Sequence, residues 1–239
     1  MRQQRSKNKP IYYLLGALLL AGPVSAIERL KLATQEWPPY QTLQNGVMGG
    51  VVMDRVKCTL RNMGQPYELH MTSWGKAQLL VETNQMDGFF SGSANSARAK
   101  FAVPSDPVIS DMLYWFISPS ADIEMGGEAV KYQARFGAKF NTSKWLYLKK
   151  NGYNVVRKPT TADTLVQMLW QREIDVALEY ELVFESSMQK IGVPTDFFKR
   201  TALRETSLSV HFSKDFLKLN PLFLPTFNRM LAGCSKEGQ

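Results

Sequence analysis

Asp87-Gly88-Phe89-Phe90-Ser91-Gly92-Ser93-Ala94-Asn95-Ser96-Ala97-Arg98-Ala99-Lys100-Phe101 is the stretch that decides how this chain folds and what it does. A short apolar strand through Phe89 and Phe90 ends in two small hydroxyls, Ser91 and Ser93. The spacing then predicts a helix with Asn95 or Ser96 as its N-cap. Free backbone N–H groups at such a strand-to-helix junction attract anions. Arg98 falls in the first turn, where a cation opposes the helix dipole and gains nothing locally. A guanidinium there makes sense if it grips a carboxylate as a two-pronged donor. Taken alone, the stretch reads by default as a loop with a surface arginine.

Working outward, strands and helices alternate. Leu30-Lys31-Leu32-Ala33-Thr34 alternates in polarity and reads as a strand. Glu36-Trp37-Pro38-Pro39-Tyr40 ends it, because consecutive prolines cannot donate to a ladder and are expected to hold the chain extended. Residues 51–63 place Val52, Val56, Cys58, Thr59 and Leu60 on a helical face that Gly64 stops. Residues 67–71 alternate again, 74–82 read as a helix and 86–91 as a short apolar strand. Further on, strands are expected at 112–117, 134–138, 153–156, 174–178 and 208–212. Helices are expected from Thr142-Ser143 to Lys150, from 182 to 190 and from 221 to 231. Another helix opens at a capping box of Thr160 with Asp163 and puts Leu165, Met168 and Leu169 on one face. Such alternation predicts α/β layers around mostly parallel strands.

The chain has 239 residues and a formal net charge of +8. Arg2, Arg5, Lys7 and Lys9 precede an apolar run over residues 11–24 and the small-residue triplet Val24-Ser25-Ala26. That pattern predicts a secretory signal peptide cut after Ala26. The run falls short of the ~20 residues that span a bilayer, so no integral membrane protein is expected. Without the four leader cations the net charge drops from +8 to +4. The remaining Lys and Arg are scattered among acids, which disfavours a nucleic-acid partner. His70 and His211 stand alone, with no zinc spacing and no triad partner in sight. No metal or cofactor is therefore expected. Cys58 and Cys234 lie in the exported part, where either a disulfide or two separate thiols fits. Leu231-Ala232-Gly233-Cys234 looks like a lipoprotein box but sits at the wrong end of the chain.

The order of leader, strand, Trp37-Pro38-Pro39-Tyr40, helix, Trp74-Gly75-Lys76-Ala77, Asp87-Gly88, Ser91-x-Ser93-x4-Arg98 and Ser105-Asp106-Pro107 resembles the family 3 extracellular solute-binding proteins. These are the periplasmic receptors of polar amino acid importers. The likeness continues at residues 137–143, 172–178 and 227–231, and so covers nearly the whole mature chain. It implies two α/β lobes, each a mostly parallel sheet flanked by helices, joined by two hinge crossovers around a ligand cleft. Lobe I would comprise 27–110 with a return segment 205–239, and lobe II 111–204. The return of the C-terminus to lobe I also favours a Cys58–Cys234 disulfide.

Carried over by position, the resemblance implies that Arg98 clamps a ligand carboxylate, with Ser93 and Ser91 donating beside it. Trp37 and Trp74 would be aromatic walls, a role that competes with ordinary core packing. Thr142 and Ser143 would donate from lobe II while capping their helix. The family's ammonium-binding aspartate falls at Tyr180, with Glu179 and Glu181 on either side, and a phenol cannot neutralise an ammonium as a carboxylate does. The expected function is a non-enzymatic, monomeric periplasmic receptor for a small anionic or zwitterionic solute, serving an inner-membrane ABC permease. One alternative is a dehydratase of the cyclohexadienyl type that uses Glu179 or Glu181 as its acid–base group. Another is a sensor adapter for a membrane signalling protein.

Overall fold

A computed structural model describes residues 28–234; the expected leader and its cleavage after Ala26 lie outside these residues. The first part of the chain runs β1 (Leu30–Thr34), β2 (Thr42–Gln44), β3 (Val47–Gly49), α1 (Val51–Asn62), β4 (Tyr67–Met71), α2 (Trp74–Glu82) and β5 (Gly88–Gly92). It continues through β6 (Ala102–Ile117), α3 (Val130–Gln133), β7 (Phe136–Gly137), α4 (Ser143–Lys150), α5 (Ala162–Trp170), β8 (Val176–Tyr180) and α6 (Glu181–Ile191). The last elements are β9 (Lys199–Ser213), α7 (Lys214–Leu219) and α8 (Phe223–Gly233).

Seven strands form one sheet in the order β4-β1-β5-β9-β6-β8-β7. Strands β4, β1 and β5 are parallel at one end, and β7 and β8 are parallel at the other. Between them β6 and β9 pair antiparallel along their length, from Ala102↔Ser213 to Ile117↔Lys199. These two long strands carry the chain twice between the halves of an α/β architecture. Their pairing slips between Pro104 and Pro107, between Pro107 and Ile109, and between Leu113 and Tyr114. Such bulges bend and twist a strand, which lets the two halves face each other.

Helix α1 shows how local sequence builds the first half. Val52, Met53, Val56 and Leu60 are fully buried on one face. The helix ends at Gly64, whose φ of 64° lets the chain turn back, so that Gly64 N reaches Arg61 O and Gln65 N reaches Leu60 O. A left-handed residue at that point suits glycine. Helix α8 packs on α1 and buries Phe227 and Leu231. Each such side chain contributes about 1.5–3 kcal/mol when removed from water. Cys58 and Cys234 are joined as a disulfide across this contact, with Cα atoms 6.0 Å apart.

Several elements differ from the sequence reading. The helix expected after Asn95 is one 3-10 turn, Arg98–Lys100. Pro104 forces Val103 out of the helical region, and the chain is already in β6 from Ala102. Strands β6 and β9 are far longer than the expected 112–117 and 208–212. Residues 153–156 supply an isolated bridge, Phe136↔Val155, and 134–138 contracts to the two-residue β7. The cap of α5 is Thr161, which accepts from Thr164 N at 3.1 Å, in place of Thr160. Residues 38–40 form a tight turn closed by Tyr40 N and Gln41 N on Trp37 O, not an extended segment.

Candidate functional site

The carboxyl ends of β1 and β5 and the start of α2 face the start of α4 and the end of β8 across the two long strands. Open α/β sheets bind ligands at such strand ends. Trp37, Trp74, Ser91, Ser93 and Arg98 come from one side, and Thr142, Ser143, Lys144 and Tyr180 from the other, around a cavity of about 20 Å³. The cleft is thus closed on itself, with room for about one water molecule. Ser93 Oγ and Ser143 Oγ bridge it at 2.8 Å, and Trp37 meets Tyr180 edge-on at 5.6 Å between ring centroids.

Arg98 is 4% exposed and turned into this cleft. Asn95 Oδ1 accepts from its backbone N at 2.9 Å, which fixes the short turn in the absence of a longer helix. Its Nε donates to Gln78 Oε1 at 2.9 Å, and Nη1 to the Ser93 carbonyl. The Trp74 ring lies 4.9 Å from the guanidinium carbon. Trp74 also packs edge-on against Phe89, so it serves as cleft wall and core residue at once. Among the described residues no carboxylate pairs with Arg98, and Nη2 has no hydrogen-bond partner. Burial brings the pKa of this guanidinium down to about 10.

Ser91 sits at a register shift between β5 and β9 with a left-handed φ of 67°. Non-glycine residues held there cost about 1–3 kcal/mol. The kink turns its hydroxyl to accept from Gln41 Nε2. Gly92 follows, and a methyl group there would lie 2.9 Å from the His211 ring. His211 stacks on Phe89 at 4.9 Å, and its Nε2 lies 2.9 Å from Gly92 O. Desolvation by burial lowers its pKa to about 4, so the ring is neutral at pH 7.

On the opposite side, Thr142 Oγ1 donates to Lys139 O at 2.6 Å and accepts from Trp145 N at 3.3 Å, capping α4. Lys144 projects from that first turn and pairs with Glu179, at side-chain exposures of 2% and 0%. Glu179 Oε1 also accepts from Tyr180 N at 2.9 Å. Burial pushes the Lys144 ammonium below the ordinary lysine range, opposed by Glu179. Burial and the Glu179 charge push the Tyr180 phenol up, so it stays neutral, with its hydroxyl against Ser93 and Thr206. Nearby, Tyr40 donates to Asp111, which also accepts from Met112 N and Leu182 N.

A second cavity of about 430 Å³ opens beside the first and shares Gln35, Trp37 and Trp74 with it. Lys139 stands at its edge and donates from Nζ to Gln35 Oε1 across the cleft. Burial, with Lys144 nearby, lowers the Lys139 pKa to about 8.

The structure therefore brings together Arg98, Ser91, Ser93, Trp37, Trp74, Thr142, Ser143 and Tyr180. Glu179 is adjacent but does not line the cavity. Glu181 points away and pairs with Arg200 at 2.8 Å. Sequence reasoning missed Lys139 and Lys144, the two lysines that bracket Thr142-Ser143. Their closeness to that cap was the available signal, but lysines in such a place read as solvated. Among the described residues no cluster of three or more His, Cys, Asp or Glu could hold a metal ion, and no helix is long and apolar enough to cross a membrane.

No protein-family model matches the sequence, and no curated protein matches it. Solved structures share its fold. A histidine kinase sensor domain with similarity to periplasmic binding proteins matches with a TM-score of 0.76 at 17% identity, covering 88% of this chain and 92% of that one. ArtJ, an arginine-, lysine-, histidine-binding protein from Geobacillus stearothermophilus, matches with a TM-score of 0.72 at 14% identity, covering 86% and 89%. AncCDT-1, an ancestral amino acid-binding protein and precursor of cyclohexadienyl dehydratase, matches with a TM-score of 0.71 at 18% identity, covering 88% and 91%. At such identities the likeness establishes the fold: this chain has the two-lobed α/β architecture of periplasmic binding proteins.

Proposed function

We propose that the protein is a non-catalytic receptor that closes two lobes over a small carboxylate-bearing solute. The observation that carries this reading is Arg98: a buried guanidinium inside the cleft, with no carboxylate partner among the described residues and Nη2 free to donate. Ser91 and Ser93 beside it, and Thr142 and Ser143 opposite, supply the polar groups through which a bound solute would bridge both sides. The lobes divide at 110–111 and 205, giving lobe I as 27–110 with 205–239 and lobe II as 111–204. Support for that division comes from the pairings Ser110↔Ser207 and Asp111↔Thr206, where β6 and β9 pass side by side between the halves.

The protein works in the periplasm as a monomer. Its leader-like first residues, its disulfide and its fold all favour that location. Delivery to an inner-membrane ABC permease is the principal role. A sensor role is the second reading, favoured by the match to a histidine kinase sensor domain. The dehydratase alternative is set aside because Glu179 is tied to Lys144 and Glu181 to Arg200.

A thermal-shift screen of small carboxylates against the wild type and Arg98→Ala tests the grip. Truncating one partner of a buried charge pair typically costs 2–5 kcal/mol, so affinity should fall at least about 30-fold. A ligand that stabilises Arg98→Ala as much as the wild type would refute the clamp.

A further inference from the structure

A cation that belongs to the chain itself sits beside the touching rings of Trp37 and Tyr180. Lys144 Nζ lies 4.7 Å from the Trp37 ring centroid and 4.4 Å from that of Tyr180. Its counter-ion is Glu179, which does not line the cavity. Lys144 is on α4 and Glu179 on β8, within the same half of the molecule, so parting of the halves leaves the pair intact. An aromatic pair backed by a buried carboxylate is a place for an ammonium group. Here that place is taken.

We propose that Lys144 is a tethered substitute for a ligand ammonium group, so that the site selects small carboxylates carrying no ammonium, such as dicarboxylates and hydroxy or oxo acids. The inference rests on the receptor reading above and narrows its substrate class. A free amine must displace an ammonium held on the same lobe, whose effective concentration far exceeds that of a dilute solute. The charges that face the cleft reinforce this. Arg98 and Lys144 are the charged residues that line the small cavity, and Lys144 is already neutralised by Glu179 behind it. A solute carboxylate on Arg98 balances the surplus cation. An α-ammonium on the same solute would meet Lys144 with no carboxylate of the cavity lining to receive it.

Calorimetric titration of the purified protein with matched pairs tests the idea: L-glutamate against 2-oxoglutarate, L-aspartate against succinate, L-alanine against pyruvate. The ammonium-free member of a bound pair should bind at least about tenfold more tightly, a difference of ~1.4 kcal/mol. Lys144→Ala empties the space beside the two rings. Millimolar n-butylammonium should then raise the melting temperature of that variant by several degrees and leave the wild type unchanged. Should Lys144→Ala not fold, the double variant Lys144→Met with Glu179→Gln takes its place, and discrimination within the pairs should shrink because the ligand ammonium no longer meets a cation. Equal or tighter wild-type binding of the amino acids, lost in Arg98→Ala, overturns the inference and leaves the receptor reading standing. Indifference of Lys144→Ala to n-butylammonium, or discrimination kept by the double variant, overturns it as well. If the wild type binds no member of any pair, the receptor reading falls and takes the inference with it.

Discussion

Replacing Lys144 by methionine leaves Glu179 as a carboxylate with 0% side-chain exposure and without its ion-pair partner. Its Oε2 is already buried without a hydrogen-bond partner among the described residues. Removing one member of a buried ion pair typically costs about 3–5 kcal/mol. Glu179→Gln strands Lys144 at 2% exposure, but the Trp37 and Tyr180 rings still face the ammonium. Each ring offsets roughly 0.5–2 kcal/mol, so this variant should lose about 2–3 kcal/mol. In the double variant the methionine thioether lies against both rings, and no charge is left behind. Its cost should be about 1 kcal/mol, because replacing both partners by groups of similar volume is often near neutral. The cycle therefore predicts a coupling energy of at least about 3 kcal/mol. For a protein of this size, Lys144→Met alone should lower the melting temperature by about 10 °C. Urea denaturation at pH 7, followed by tryptophan fluorescence, measures all four corners. A cost below about 1 kcal/mol for Lys144→Met, or a double variant no better than the sum of the singles, would refute the picture of a self-filled cleft.

Two further outcomes follow from buried groups elsewhere. His211 is held at about 4 in the fold, against an ordinary value of 6.5, so the unfolded chain binds more protons between those values. Stability is then full above pH 6.5 and falls with pH down to about 4; between pH 7 and 4.5 the loss should be about 2 kcal/mol. His211→Phe should lack this part of the acid sensitivity, and denaturation midpoints at the two pH values that fall equally in both proteins would contradict it. The Cys58–Cys234 link spans 176 residues, and removing it should cost about 3–5 kcal/mol in the chain-entropy model. A reductant should therefore lower the melting temperature of the wild type and leave Cys58→Ser with Cys234→Ser unaffected.

Much of the fold was legible because local and tertiary preferences agree. The apolar face of α1, its stop at Gly64 and the Thr142 cap of α4 depend on neighbours within a few residues. The long strands were not legible. The N-terminal half of β9 is largely exposed and polar, so Lys199-Arg200-Thr201 shows no alternation. In β6 the ladder tolerates Pro104 and Pro107 because its register shifts beside them. Arg98 was found from its surroundings, although the helix expected beneath it proved to be a single 3-10 turn. Its orientation comes from Gln78, Ser93 and Trp74 rather than from a helix dipole. Lys139 and Lys144 escaped notice because lysine burial is decided by residues distant in the sequence. Gln35 and Trp37 arrive from more than a hundred residues away, and Glu179 from thirty-five.

The contacts that join the two sides of the cleft are individually weak, as reversible binding of a solute would require. The Ser93–Ser143 hydrogen bond contributes about 0.5–1.5 kcal/mol net and the charged Lys139–Gln35 one about 1.5–3 kcal/mol. The Trp37–Tyr180 contact adds roughly 0.5–1.5 kcal/mol beyond its buried area. Together these favour the closed form by a few kcal/mol, before the entropy of ordering the side chains is counted against them. A ligand shifts such an equilibrium by no more than its differential affinity for the two forms. Arg98 lies on one side and Thr142 and Ser143 on the other, so only the closed form offers a solute both sets of donors at once. Meanwhile β6 and β9 are paired through the junction and would confine a closing motion to bending about their bulges. In this molecule the sheet fixes the path of closure and the polar rim sets its small free energy. On the reading proposed above, Arg98 and Lys144 would determine which solute tips it.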